Sequence, residues 1–134
     1  MSDPEAARMM LTKAFEDFEA LSGMLDKKTF SGDIFGFHAQ QAIEKSLKAW
    51  LAFLGVEFPF THDLGLLIEV LEENGQDVTA QIDLMQFNVY AVLFRYVRME
   101  GRTIPMDRPS IIARIGVLFD HVMSMLGLTP SDLK

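Results

Sequence analysis

Phe35-Gly-Phe-His-Ala-Gln-Gln-Ala-Ile-Glu-Lys-Ser-Leu-Lys-Ala-Trp-Leu-Ala-Phe-Leu54 decides the fold of this chain. Placed at 100° per residue, Phe35, Ala39, Ala42, Ile43, Leu47, Ala49, Trp50, Phe53 and Leu54 fall on one side of a helix. A second pattern runs beside the first. His38, Gln41, Lys45 and Lys48 recur at i, i+3, i+7 and i+10, which lines them up as a polar strip. A core helix needs only the apolar face, so the strip raises the question of function.

Outward from this helix, the same period recurs. A first helix starts at Pro4, with Asp3 as its cap, and carries Met10, Leu11, Ala14, Phe15, Phe18, Leu21 and Leu25 on one face. The run from Asp26 to Asp33 breaks the pattern. The second helix spans about Asp33 to Leu54, and Gly55 stops it. Pro59 keeps the connector extended. A third, shorter helix covers Asp63 to about Asn74. A fourth covers Thr79 to about Arg98, with an apolar face of Ile82, Met85, Val89, Tyr90, Leu93, Tyr96 and Val97. After a loop holding Gly101 and Pro105, a fifth runs from Pro109 to about Leu126. Residues 128–134 read as a short tail. No segment alternates in the manner of a strand. The expectation is an all-α, antiparallel, up-and-down bundle of four main helices and one short one, in one domain over 1–134 with its core at about 4–127.

Composition narrows the function classes. The chain has 134 residues, enough for one sizeable core. With no cysteine it has no disulfide frame, thiol nucleophile or cysteine-based zinc site. The N-terminus lacks a basic region before an apolar run, and no apolar stretch approaches the ~18 residues of a membrane span, so a soluble cytoplasmic protein is expected. The net charge of −7 argues against a general nucleic-acid coat. The charge is uneven, however: −8 over residues 1–80 and +1 over 81–134. Arg95, Arg98, Arg102 and Arg108 cluster in the second part and suggest a local basic patch, or else charge that complements a helix end. Nine methionines and eleven phenylalanines supply a soft, bulky core, with a surplus suited to a subunit interface.

The residues that could carry chemistry are few. No glycine-rich phosphate loop, H-E-x-x-H or G-x-S-x-G is present. His38, His62 and His121 fall on separate elements, so neither metal nor cofactor is expected. Most carboxylates, such as Glu16, Asp17 and Glu19, read as solvated. The strip of His38, Gln41, Lys45 and Lys48 suits an anion, because lysine donates to phosphate and glutamine to a base or sugar. From spacing alone it reads first as a hydrated face with Glu44 and Lys48 paired at i, i+4. Asn88 and Arg95 share a face of the fourth helix, where Arg95 could reach phosphate. Arg114 and His121 lie seven apart on the fifth, about two turns or ~10 Å along the axis. Together they could serve phosphoryl chemistry, Arg114 steadying charge and His121 moving a proton. They could also be a snorkelling arginine and a packed histidine.

Taken together, Phe37-His-Ala-Gln-Gln-Ala-Ile-Glu-Lys-Ser-Leu-Lys-Ala-Trp-Leu, then Thr61-His-Asp-Leu64, then Tyr90 and Arg95-Tyr96, resemble the HEPN domain (higher eukaryotes and prokaryotes nucleotide-binding). The resemblance covers about residues 5–125. It implies a helical bundle that forms a homodimer and pairs with a minimal nucleotidyltransferase, in the manner of a toxin–antitoxin couple. Some relatives bind nucleotides. Others are metal-independent ribonucleases marked by an Arg followed, after four to six residues, by His. His38, Gln41, Lys45 and Lys48 match the polar helix of the family, His62 its Thr-His-Asp-Leu corner, and Arg95-Tyr96 its Arg-Tyr pair, with Val97 where proline often follows. No histidine follows Arg95, Arg98 or Arg102 at nuclease spacing; Arg114 and His121 meet that spacing within the last helix. The resemblance therefore favours a nucleotide- or RNA-binding partner of a nucleotidyltransferase, using His38, Gln41, Lys45, Lys48, His62, Asn88, Arg95 and Arg98. Behind it stand an endoribonuclease using Arg114 and His121, and a purely structural dimerisation module.

Overall fold

The computed structural model describes residues 2–58, 60–91 and 107–134. Helix α1 spans Pro4–Ser22, α2 Gly32–Leu54, α3 Leu64–Glu73 and α4 Arg108–Met125. A 3-10 helix covers Thr79–Tyr90 and a shorter one Pro130–Leu133. No strand occurs among the described residues.

Helix ends follow from local chemistry. Asp3 accepts from the Ala6 N–H and Ser31 from that of Ile34, each using a donor that lacks an intrahelical partner. Asp63 accepts from Gly65 and Leu66, and Asp107 from Ser110. Gly55 ends α2 at φ 73°, a left-handed conformation that a side chain would oppose, with its N–H turned back to Ala52 and Leu51.

Cross-contacts fix the topology. At one end of the α1–α2 pair the Asp3 N–H donates to the Ala52 carbonyl, and near the other Asp17 meets His38, so the two run antiparallel. α4 lies antiparallel to α1: Arg8 donates to the Asp132 carbonyl, Phe18 stacks on Phe119 at 5.3 Å, and Arg108 donates to the carbonyls of Met24 and Phe30. This places α2 at the centre, packed by α1, α3, α4 and the 3-10 helix. Leu47, Trp50 and Leu51 of α2 are buried with Leu11, Phe15, Leu67, Leu71, Phe87 and Leu118. Each such side chain contributes about 2 kcal/mol relative to exposure. One close approach sets the distance between α2 and the 3-10 helix: the Tyr90 ring lies on Gly36, where a Cβ would come within 2.6 Å of it.

Two local expectations are corrected. The fourth helix begins at Thr79 as expected, but as a 3-10 helix to Tyr90; the rest of the expected span, to Arg98, lies outside the described residues. Its buried residues are Gln81, Leu84, Phe87 and Tyr90, a strict spacing of three that the 3-10 geometry stacks into one stripe. Ile82, assigned to the apolar face by a 3.6-residue period, is instead exposed. Arg108 belongs to no surface patch. Its guanidinium is buried, lies 5.0 Å over the Phe35 ring, and holds the α1–α2 loop through 2.6 and 2.7 Å bonds. Arg95, Arg98 and Arg102 lie outside the described residues.

Candidate functional site

The polar strip of α2 is built around two carboxylates. Asp17 of α1 receives His38 Nδ1 on one oxygen at 2.9 Å and Lys45 Nζ on the other at 2.7 Å. Glu44 of α2 receives His62 Nδ1 on Oε1 at 2.9 Å and Lys48 Nζ on Oε2 at 3.1 Å. The same Lys–carboxylate–His arrangement thus occurs twice along one helix. Because an ionised carboxylate only accepts, each imidazole carries its proton on Nδ1 and leaves Nε2 as the outward nitrogen. Neither Nε2 has a hydrogen-bond partner among the described residues.

Burial separates the two copies. The Glu44 side chain is 4% exposed and that of Lys48 10%. The expected hydrated Glu44–Lys48 pair therefore exists, but inside the protein, where ion pairs require further donors to offset desolvation. Gln40 supplies one: its Nε2 donates to Glu44 Oε1 at 2.9 Å and to the His62 carbonyl at 3.2 Å. Gln41 extends the chain by donating to Gln40 Oε1 at 2.6 Å. Asp17, expected to be solvated, is only 13% exposed because His38 and Lys45 close over it. Gln40, Glu44 and Lys48 repeat at i, i+4 and i+8, a straight polar row that a search of the sequence for such spacing would have found.

Asn88 is committed to the fold around His62. Its Oδ1 accepts from the Leu64 N–H at 2.7 Å, and its Nδ2 donates to Asp63 Oδ1 at 2.9 Å. Both amide groups therefore brace the corner that carries His62. The His62 side chain remains 57% exposed. Beside it Phe60 is wholly exposed, with Lys48 Nζ 5.8 Å from its ring centre. The expected contributions of Arg95 and Arg98 lie outside the described residues.

Arg114 and His121 face different surroundings. Arg114 pairs with Asp83 at 3.2 Å on the surface, in a cleft with Ile82, Met85 and Gln86. His121 sets its ring edge-on to Trp50 at 4.8 Å, in another cleft with Asp77 and Gln81. Among the described residues no group of three or more His, Asp or Glu side chains could hold a metal ion.

A central amphipathic helix with a histidine-bearing corner, a paired polar seam and helical neighbours defines a class of small α-helical bundles. The HEPN domain model matches residues 7–103, most of the chain, and the chain belongs to the HEPN domain family. That membership ties it to nucleotide- or RNA-related function in general. The matched span takes in most of α1, all of α2 and the His62 corner and ends before α4, so Arg114 and His121 fall outside it. No curated protein matches the chain, and no solved structure does. Among the described residues no helix is long and apolar enough to cross a membrane.

Proposed function

We propose that the protein binds RNA or a nucleotide along the α2 seam, as a homodimer and as the partner of a minimal nucleotidyltransferase. The observation that carries the binding reading is the wholly exposed Phe60 beside half-exposed His62, with the ammonium of buried Lys48 near its ring. An unstacked base finds a flat apolar partner in such a ring, and stacking contributes about 1–3 kcal/mol per base. His62 and His38 offer oriented nitrogens to phosphate, ribose or base edges, and Gln41 and Lys45 continue the row. Since Lys45 and Lys48 are each paired with a carboxylate, they act mainly by holding the histidines' partners in place. Net attraction for phosphate then falls to Arg95 and Arg98. The placing of Arg114 and His121 in separate clefts supports binding over hydrolysis.

The test is a titration with ATP, GTP and a short single-stranded RNA at low and moderate salt. Phe60→Ala is expected to weaken RNA binding about tenfold, a loss near 1.4 kcal/mol. Arg95→Glu is expected to weaken it and to flatten its salt dependence. Binding indifferent to Phe60→Ala, Lys48→Glu and Arg95→Glu would remove the seam as the site.

A further inference from the structure

Helix α4 buries Ile111, Ile115, Leu118 and Val122 against the core. Its other face is open, and its chemistry is a palindrome centred on Val117. Val117 is a large apolar side chain left 60% exposed. Three residues to either side stand exposed Arg114 and Asp120, of opposite charge. Four residues to either side stand Ala113 and His121, and seven to either side Ser110 and Ser124, all exposed. Offsets of three, four and seven keep these residues on one helix face. The 3-10 helix borders that face. Its Asp83 pairs with Arg114 at 3.2 Å, and its Ile82, 43% exposed, lines the cleft beside them. Two of the large exposed apolar side chains, Ile82 and Val117, thus lie on the same side of the molecule.

We propose that this face binds a second copy of the chain, α4 antiparallel to α4, with the two-fold axis passing beside Val117. The inference rests on the homodimer proposed above and names its surface. A two-fold interface uses one patch twice, so the patch must complement itself. An axis at Val117 sets Arg114 of each copy opposite Asp120 of the other, Val117 on Val117, and Ser110 on Ser124. The serines and Ala113 are small and let the helix axes approach to about 8 Å, the close end of the packing range. Charge selects the register. Parallel helices would set Arg114 on Arg114, and an axis displaced to Asp120 would set carboxylate on carboxylate. Exposed ion pairs contribute little singly, so the apolar contact at Val117 and Ile82 supplies attraction and the charges supply orientation. Arg114 keeps Asp83 as well, because a guanidinium has five donors. Since α4 lies beyond the span that the HEPN model matches, the surface is drawn from this chain's own last helix.

The chain has no cysteine, so Val117→Cys introduces its sole thiol. Beside a two-fold axis that thiol meets its own copy, and mild oxidation of the full chain is expected to give a covalent dimer. Met9→Cys, on α1 at a position 66% exposed, is the control and is expected to stay uncoupled. Sedimentation then reads the dimer Kd. Arg114→Asp and Asp120→Arg each set like charges together twice, and each is expected to raise Kd about thirtyfold. The double variant Arg114→Asp/Asp120→Arg reverses both charges and restores the match, and its Kd is expected within about threefold of the parent value. A dimer unmoved by either single reversal, a double variant as weak as the singles, or Val117→Cys coupling no faster than Met9→Cys would overturn this surface and leave the homodimer standing. A parent chain that sediments as a monomer at every concentration would overturn the surface and the homodimer together.

Discussion

Glu44 takes three donors on its two oxygens, from Gln40, His62 and Lys48, and is almost wholly enclosed. Removing one member of a buried ion pair leaves the other charge without a partner. Glu44→Ala should therefore cost about 3–5 kcal/mol in urea denaturation, with an unchanged m-value. Glu44→Gln retains an acceptor and should cost less. A loss below ~1 kcal/mol in the alanine variant would mean that the cluster is solvated. The sequence displays Glu44 and Lys48 as partners by spacing alone, and that much was legible. Their burial was not, because it depends on His62 folding back from a connector 18 residues away. The burial of Asp17 is hidden in the sequence for the same reason: its exposure is set by His38 and Lys45 on another helix.

At the scale of the element, α2 was legible to within a residue or so, because its apolar period is sustained and Gly55 marks its end. The segment Thr79–Tyr90 was legible as helical but not as 3-10. Over twelve residues, apolar side chains at 82, 85 and 89 fit a 3.6 period about as well as 84, 87 and 90 fit a period of three. The choice is made by tertiary contacts such as Tyr90 on Gly36. Asn88 then joins this 3-10 helix to the first turn of α3. Asn88→Ala removes the acceptor of the Leu64 N–H and a donor to the Asp63 cap, and should cost about 1–2 kcal/mol. Faster amide hydrogen exchange confined to Leu64, Gly65 and Leu66 is the expected signature; protection there equal to the parent protein would show that α3 caps itself.

For the whole molecule, three exposed carboxyls tie connecting segments in place, and all three are held below the usual carboxylate range. The Thr29 hydroxyl does most at Asp26, and the Thr79 and Thr129 N–H groups do most at Asp77 and Asp132. A carboxyl with a lowered folded-state pKa adds stability above its unfolded value near 3.8, and that stability is lost as pH falls through the folded value. Tm should therefore hold near pH 5 and fall below about pH 4, with a shallower acid slope in Asp26→Asn. A slope unaltered by that substitution would assign the acid loss to other groups. Arg108 has a consequence of another kind, in the order of assembly. Its two bonds join residues 84 and 78 positions apart, whereas α1 and α2 can zip together across a short loop. Contacts that close such long stretches of chain form late, after the α1–α2 hairpin has paid the first entropy of collapse. In stopped-flow measurements, then, Arg108→Met should leave the refolding rate within about twofold. A destabilisation of about 2 kcal/mol would appear almost wholly as a rise in unfolding rate of about thirtyfold. The buried guanidinium acts as a latch closed last, and it governs how long the folded molecule survives more than how fast it forms.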